Sequence, residues 1–444
     1  MDTKTKLSFS AKILLKIFVI IGLSLILLIP KYMIGEMIDE REKAANETTD
    51  EIAKKWGKTQ CVAGPFILIP AKTGGKSENR LSDDLVIFPE SLDIKGDINS
   101  QILHRNIYNV AVFQAPLTLK GSFNLPKELD DSLMLKKYQL NKAKYMFYVR
   151  DLRGLCDNVR ITAGQQQEVL TTDENKFIGC EADLQDLFNG DTIAYSLSLN
   201  LKGSQGLFIL PCGNNTSVTM KSDDATPSFT GGFLPNERNV GEKGFTASWK
   251  MIALNKSFPQ HTSISHFKNS ILSSGYNDYA GIKEMSSSES YIGINLKTGI
   301  DQYRQNTRAN KYAYLIIILT FITVLIVELI KEKPIHIVQY LLVGVALVLF
   351  YSLLLSFSEF IAFGWAYLAA SAMTITLVTA YMAAILKMKK TALVIGALLA
   401  ALYLYIYILL SMQTLSLLVG SIGLFIILAL IMAATQKINW YKLT

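Results

Sequence analysis

Residues 313–330 read AYLIIILTFITVLIVELI, and after four residues a second apolar run follows at 335–357, IHIVQYLLVGVALVLFYSLLLSF. A hydrocarbon core of roughly 30 Å takes about 20 apolar helical residues to cross, so each run can span a bilayer. Three more follow at Phe360–Leu386, Thr391–Ser411 and Leu415–Ala434. Connections this short make neighbouring helices antiparallel. A sixth run, Ile13–Pro30, lies at the other end behind Lys4, Lys6 and Lys12. It exceeds a signal-peptide core, leads into Lys31 and Tyr32, and has no small-x-small cleavage site after it, so it reads as a retained anchor.

The fold class is therefore an α+β membrane protein with six transmembrane helices, one N-terminal and five C-terminal, and a large β-rich extracytoplasmic domain between the first and second. The expected divisions are 1–34, 35–312, 313–436 and a tail at 437–444. Lysine placement sets the orientation, because basic residues of short loops stay in the cytoplasm. Lys331 and Lys333, then Lys387, Lys389 and Lys390, then Lys437 and Lys442 all fall on the side of the basic N-terminus. The alternate loops, near Ser358 and Glu359 and at Met412–Thr414, contain no Lys or Arg. Both termini are expected in the cytoplasm of a bacterial inner membrane, with the bilayer itself as the first partner.

The formal net charge of +7 is uneven. Residues 35–312 carry 32 basic against 33 acidic residues, and the rest 12 against 4. The basic balance is thus a topology signal. No basic stripe interleaved with aromatics points to nucleic acid.

The inserted segment reads mostly as strands, at Phe66–Ile69, Leu85–Phe88, Tyr108–Phe113, Leu117–Leu125, Tyr145–Val149, Ile193–Leu201, Leu207–Leu210, Thr246–Leu254 and Tyr291–Leu296. Turn clusters such as Gly96-Asp97, Gly213-Asn214 and Gly231-Gly232 separate them, which predicts a sandwich or curved sheet. Two helices flank it. Ile34, Met37, Ile38, Ala45, Ile52 and Trp56 recur at helical spacing and predict a stalk continuing the first span. The polar run Asp301–Lys311 predicts a helix leading straight into the second span.

All four cysteines, Cys61, Cys156, Cys180 and Cys212, lie in the insert. Three pairings into two disulfides exist. Proximity favours Cys156 with Cys180, leaving Cys61 with Cys212, and free buried thiols are the alternative.

Catalytic motifs are missing: there is no phosphate loop, HExxH, GxSxG or paired CxxC. His261 and His266, five apart in a Ser/Thr-rich stretch, suit a loop better than a metal site. No cofactor, metal or catalytic residue is expected, and the protein reads as non-enzymatic. The intramembrane polar candidates are Glu328, His336, Gln339 and Glu359, since such groups normally face a bundle interior or cavity. Either they form a path, or Glu328 and His336 face each other across a tight turn and hold two helices together while Glu359 is wet. The second is favoured, because none sits at mid-bilayer.

Certain fixed offsets point further. Trp56-Gly57, Gln60, Gly64-Pro65 and Ile69-Pro70 are followed by PSFTGGFLP at 227–235, then by GFTASW at 244–249 and Pro259-Gln260. Asp301, Tyr303, Arg308-Ala309, Lys311-Tyr312, Leu319-Thr320-Phe321, Glu328, His336, QYLLVG at 339–344 and LLLSFSE at 353–359 complete the set. This pattern resembles the CreD family of inner-membrane proteins over most of the chain. It departs at Ile337, where that family's Pro is expected, and at Phe360, where a His is common, which counts against a metal or proton pair built on His336. The resemblance implies a role in cell envelope integrity and the response to envelope stress.

The leading functional expectation is a non-enzymatic protein whose extracytoplasmic domain binds an unidentified envelope protein or ligand. Phe233, Leu234, Pro235 and Trp249 are the candidate surface, although turn and core duty also explains them. Asp301, Tyr303, Arg308 and Lys311 are candidates at the joint with the bundle, where a membrane-interface anchor is the simpler role for the two basic residues. The alternative is a transporter or lipid-handling protein with a path through the bundle. The absence of an internal proline between Ile335 and Lys437 weighs against it.

Overall fold

The computed structural model describes residues 9–72, 84–105, 107–124, 137–164, 166–172, 177–182, 184, 192–256, 258–272, 290–296, 300–412 and 416–436. The tail from 437 lies outside these residues. The chain divides into two units, Met1–Asn46 with Ile300–Thr444, and Glu47–Gly299.

In the first unit the helices are α1 (Phe9–Ile26), the first part of α2 (Leu28–Trp56), whose last residues from Glu47 belong to the second unit, α3 (Ile300–Lys311), α4 (Ala313–Lys331), α5 (Ile337–Ser358), α6 (Phe363–Leu386), α7 (Lys389–Ser411) and α8 (Ser416–Thr435). Five stretches among the described residues are long and apolar enough to cross a membrane: Leu14–Trp56, Gln302–Lys331, Ile337–Ser358, Phe363–Leu386 and Lys389–Ser411. The twenty residues of α8 contain a sixth apolar stretch, Leu418–Ala433. One N-terminal and five C-terminal apolar helices therefore precede and follow the insert along the chain, as the hydropathy pattern predicts.

α1 and α2 form nearly one rod. Leu27 donates to Leu23 O and Lys31 to Leu27 O, and the interruption lies beside Pro30, whose ring nitrogen has no proton to give. α3 runs into α4 with Tyr312 between them, again as expected. α5 is central: Tyr340, Val343, Leu347, Phe350, Tyr351 and Leu354 are all buried, and it packs on α1, α3, α4 and α6. Small residues permit this closeness. A Cβ on Gly344 would stand 2.2 Å from Leu27 Cδ1. Leu14, Phe18, Leu25, Leu368, Leu393 and Phe425 stay exposed on the outside of the helices, where lipid chains would cover them.

Among its described residues the second unit holds seventeen strands, β1 (Gln60–Ile69), β2 (Leu85–Ile87), β3 (Ser91–Arg105), β4 (Tyr108–Phe123), β5 (Lys144–Val149), β6 (Arg160–Ala163), β7 (Gln166–Val169), β8 (Thr171–Thr172), β9 (Phe177–Glu181), β10 (Ile193–Ser204), β11 (Gly206–Leu210), β12 (Asn215–Ser222), β13 (Ser228–Gly231), β14 (Glu237–Gly241), β15 (Gly244–Met251), β16 (His261–Ser263) and β17 (Ile292–Asn295). One sheet has the order β13-β17-β11-β1-β5-β9-β8, with β2 and β16 attached at β1, and the other β14-β15-β12-β3-β4-β10-β6-β7. Residues of both sheets fill one core, among them Phe66, Phe88, Leu119, Tyr145, Tyr195 and Trp249, so the sandwich alternative holds. Strands β12 and β15 alternate buried with exposed positions along their length, the pattern of a sheet with one face inward.

Two sequence expectations need correction here. The segments expected as separate strands at Tyr108–Phe113 and Leu117–Leu125 are joined in one strand, β4, which ends at Phe123, while Leu125 lies outside the described residues. Pro116 stays paired opposite Asn200 of β10, while the β3 ladder is interrupted between Gly96 opposite Leu117 and Asn99 opposite Gln114. The prolyl ring reads as a break but here removes ladder bonds on one side only. Gly96-Asp97, expected as a turn, lies inside β3. A Cβ on Gly96 would come within 2.5 Å of Leu117 and 2.7 Å of the Met220 methyl, so the glycine serves close packing.

The disulfide expectation also fails, since all four cysteines are free. Cys61 on β1 and Cys212 beyond β11 are fully buried. Burial pushes both thiols up to about 12, against the opposing pull of Arg150 on Cys61 and of the Gly64 amide on Cys212. Cys180, on β9, is pushed up to about 11 by burial and the neighbouring Glu168. The compartment argument allows disulfides, but Cys61 and Cys212 are seated as apolar filling, the free buried thiols of the alternative reading, while Cys156 and Cys180 are half-buried.

Candidate functional site

The most charged contact inside the helical unit joins the two ends of the sequence. Lys16 Nζ on α1 pairs with Glu328 Oε1 on α4 and donates to the carbonyl of Ile335 at 2.7 Å. Glu328 also accepts from the Ile335 amide at 3.1 Å and, through Oε2, from the Tyr340 hydroxyl at 2.8 Å. The Lys16 ammonium stands 5.5 Å from the Tyr340 ring centre. Glu328 is buried, and this set of donors is what permits a carboxylate to remain there. Lys16 is inconspicuous in the sequence because it falls within the apolar run Ile13–Pro30, and a basic residue inside a span is the signal that marks it.

This geometry corrects the expected Glu328–His336 pairing. His336 is the N-cap of α5: its Nδ1 accepts from the Val338 amide at 3.3 Å, and Gln339 Oε1 accepts from the His336 amide at 2.9 Å. These reciprocal bonds form a capping box. His336 and Gln339 thus start a helix at an exposed turn, and Glu328 turns to α1 instead.

The other end of the unit holds a second polar cluster. Glu359, expected to be wet, is only 10% exposed at the C-terminal end of α5 and pairs with Arg41 of α2, Oε1 to Nε 3.4 Å. Its neighbour Ser358 accepts from Asn306 Nδ2 at 2.8 Å. Asn310 lies against Gly35, where a Cβ would stand 3.1 Å from Asn310 Nδ2. Lys16 and Arg41 are 25 positions apart, about 37 Å along a helix at 1.5 Å per residue, so the N-terminal rod is pinned to the bundle near both faces of a bilayer-sized slab.

The joint candidates separate. Tyr303 is buried. Arg308 Nη2 lies 3.5 and 3.4 Å from the carbonyls of Leu409 and Met412, where a cation complements the carbonyl end of α7. Lys311 is exposed. The side chain of Asp301 lies outside the described residues.

In the β-rich unit, Trp249 is core, packed at 5.7 Å on Phe229 and donating to the Phe233 carbonyl at 3.1 Å. Phe233 is half-buried against the core. Pro235 is half-buried as well, whereas Leu234 is 67% exposed. The Trp56, Gly57 and Gln60 motif is also structural. Gln60 Nε2 donates to the carbonyls of Asp151 and Lys202 at 3.1 and 2.8 Å, and Gly57, at φ 141°, leaves a Cβ no room beside Lys202 O. Gln260 earns its place by holding Lys256, whose Nζ donates to Gln260 Oε1 at 2.9 Å and lies 5.1 Å from the Phe258 ring. Burial holds this lysine below its ordinary value. Among the described residues, no group of three or more His, Cys, Asp or Glu side chains could hold a metal.

Fold and contacts define a multi-pass membrane protein in which a β-sandwich is inserted between the first and second of six apolar helices. The family model described as "Inner membrane protein CreD" matches residues 12–441. The chain is also 30% identical over 437 residues, covering 95% of its length and 92% of the relative's, to the "Inner membrane protein CreD" of Escherichia coli (strain K12). It belongs to the CreD family and is a multi-pass inner-membrane protein.

Proposed function

We propose that this protein supports cell envelope integrity under envelope or cell-wall stress by non-enzymatic binding of an envelope protein or ligand through its β-sandwich on the periplasmic side. The lysine distribution supports that orientation. The observation that carries the binding role is an exposed apolar edge: Leu234, Ile252 and Leu254 are 67, 54 and 91% exposed. Asn236 bonds to Ser248 O and accepts from the Lys250 amide, which brings Leu234 alongside the end of β15. The adjacent edge strand β14 is exposed along its whole length, so backbone pairing and apolar contact are available together.

A photo-crosslinking residue at Leu234 or Leu254 in native membranes tests this reading. One discrete adduct, together with loss of stress protection in Leu234→Ser/Leu254→Ser protein at normal abundance, supports it. Full protection by the folded double variant refutes it.

A lipid-handling or transport role is the second reading. It is favoured by an apolar groove of about 470 Å³ between α4, α7 and α8, lined by Leu319, Thr323, Tyr405 and Gly423 among others, and, elsewhere in the bundle, by the buried hydroxyls of Tyr351 and Tyr403, which have no hydrogen-bond partner among the described residues.

A further inference from the structure

The polar face of α3 holds acceptors without donors. Asn306 is 2% exposed and Asn310 6% exposed, and the Oδ1 atom of each is buried without a hydrogen-bond partner among the described residues, as is Oγ1 of Thr307. For Asn306 the amide orientation is fixed by its neighbours. Its Nδ2 already donates to Gln302 O at 3.0 Å and to Ser358 Oγ at 2.8 Å, and Ser358 in turn donates to Leu355 O at 2.9 Å. Flipping the amide would set Oδ1 against a carbonyl, so the unpartnered atom is a true acceptor. At about 100° per residue, positions 306, 307 and 310 fall within a 100° arc of one helix turn, so the three oxygens share a face.

A buried acceptor without a donor keeps its desolvation cost uncompensated, and the two amide oxygens together with the Thr307 hydroxyl, which can accept as well as donate, leave room in the hydrogen-bond pattern for outside N–H or O–H donors. The surroundings specify more. Glu359 adds negative charge beside Ser358, and Arg41, 48% exposed, sits on that carboxylate. Aromatic side chains mark the depth: Tyr314, Phe360 and Trp365 are 52, 76 and 70% exposed at this same end of α4, α5 and α6, as in the belt at a lipid headgroup layer.

We infer that the Asn306, Thr307 and Asn310 oxygens, with Glu359 alongside, form a binding site for a primary ammonium group, supplied by a phosphoethanolamine lipid headgroup or by a free amine. A primary ammonium offers three N–H donors and one positive charge, matching the three acceptors and the neighbouring carboxylate. For the lipid source, Arg41 is placed to meet the phosphate. A quaternary ammonium has no N–H and does not satisfy the site. This inference does not depend on the partner-binding reading above.

The test uses full-length protein in nanodiscs of phosphatidylethanolamine with phosphatidylglycerol, or of phosphatidylcholine with phosphatidylglycerol. Lipids retained after release into detergent are read by native mass spectrometry. Retention of phosphatidylethanolamine over phosphatidylcholine by about tenfold, lost in Asn310→Leu/Thr307→Val protein, is the expected result for loss of charged hydrogen bonds. Stabilisation by added ethanolamine in the phosphatidylcholine discs, without lipid selectivity, identifies a free amine as the source and also supports the site. Equal retention of both lipids with no ethanolamine response overturns it and leaves water as the donor. Thr307→Val alone removes a hydroxyl with no partner and keeps the Asn306–Ser358 bond, so it reports on binding if the double variant does not fold. Without ligand, that variant should be at least as stable as the natural protein.

Discussion

Lys16 and Glu328, 312 positions apart in sequence, form a largely buried ion pair, its lysine half-buried and its carboxylate buried, that ties the first apolar helix to the second. Tyr340 and the Ile335 amide complete the carboxylate's hydrogen bonds. Removing one member of such a pair strands the other, whereas removing both spares that cost. Lys16→Met or Glu328→Gln alone should therefore lower stability by about 3–5 kcal/mol, and the double change should cost clearly less than the two single changes summed. Thermal unfolding of purified protein in nanodiscs gives the cycle, and additive losses would contradict the pairing.

Much of this arrangement was legible from residues 313–434 and the lysine spacing, because hydropathy and length are local properties. What local pattern could not supply was partner choice. His336 and Glu328 lie on either side of a tight turn, so sequence proximity suggests contact, yet the capping geometry of α5 takes the histidine and Lys16 reaches the carboxylate from a distant helix. Glu359 looked wet for the same reason: Arg41 lies more than 300 positions earlier. In the sandwich, strands with clear apolar runs, such as β5 and β10, were visible. The exposed edge strand β14 and the short strands β7 and β8 have no apolar alternation to reveal them, β6 alternates over only four residues, and Gly96 and Pro116 mislead because turn residues in strand interiors answer to neighbours in other strands.

Asp151 makes the sandwich acid-sensitive. Burial pushes its carboxyl up, but the hydrogen bond from Arg153 and the amides of Lys58 and Arg153 prevail and hold it below its ordinary value. A carboxylate depressed in the folded state stabilises above its unfolded pKa, and this contribution is lost as pH falls through the folded value. Asp151→Asn should thus destabilise the protein at neutral pH, and its deficit should shrink below about pH 4. Melting followed by tryptophan fluorescence at both pH values checks this, and a deficit that grows on acidification would refute it.

The thiols give a chemical check on the sandwich core. With Cys61 and Cys212 pushed up to about 12 and fully buried, iodoacetamide at about pH 8 should leave them unmodified in folded protein, since the thiolate is the reactive form. Cys156 and Cys180, both partly exposed, should react first. Peptide mapping after a timed pulse reads the order, and a Cys61–Cys212 disulfide in unreduced protein would contradict the packing described.

The side of the membrane occupied by the sandwich is the premise of the proposed role, and thiol labelling in intact spheroplasts tests it most directly. In protein with Cys156 and Cys180 replaced by Ser, a Leu254→Cys change places a reporter on the sandwich and a Lys387→Cys change one on a lysine-bearing loop. An impermeant maleimide should label the first before permeabilisation and the second only after it. Labelling of position 387 in intact cells, with position 254 protected until lysis, would contradict the account.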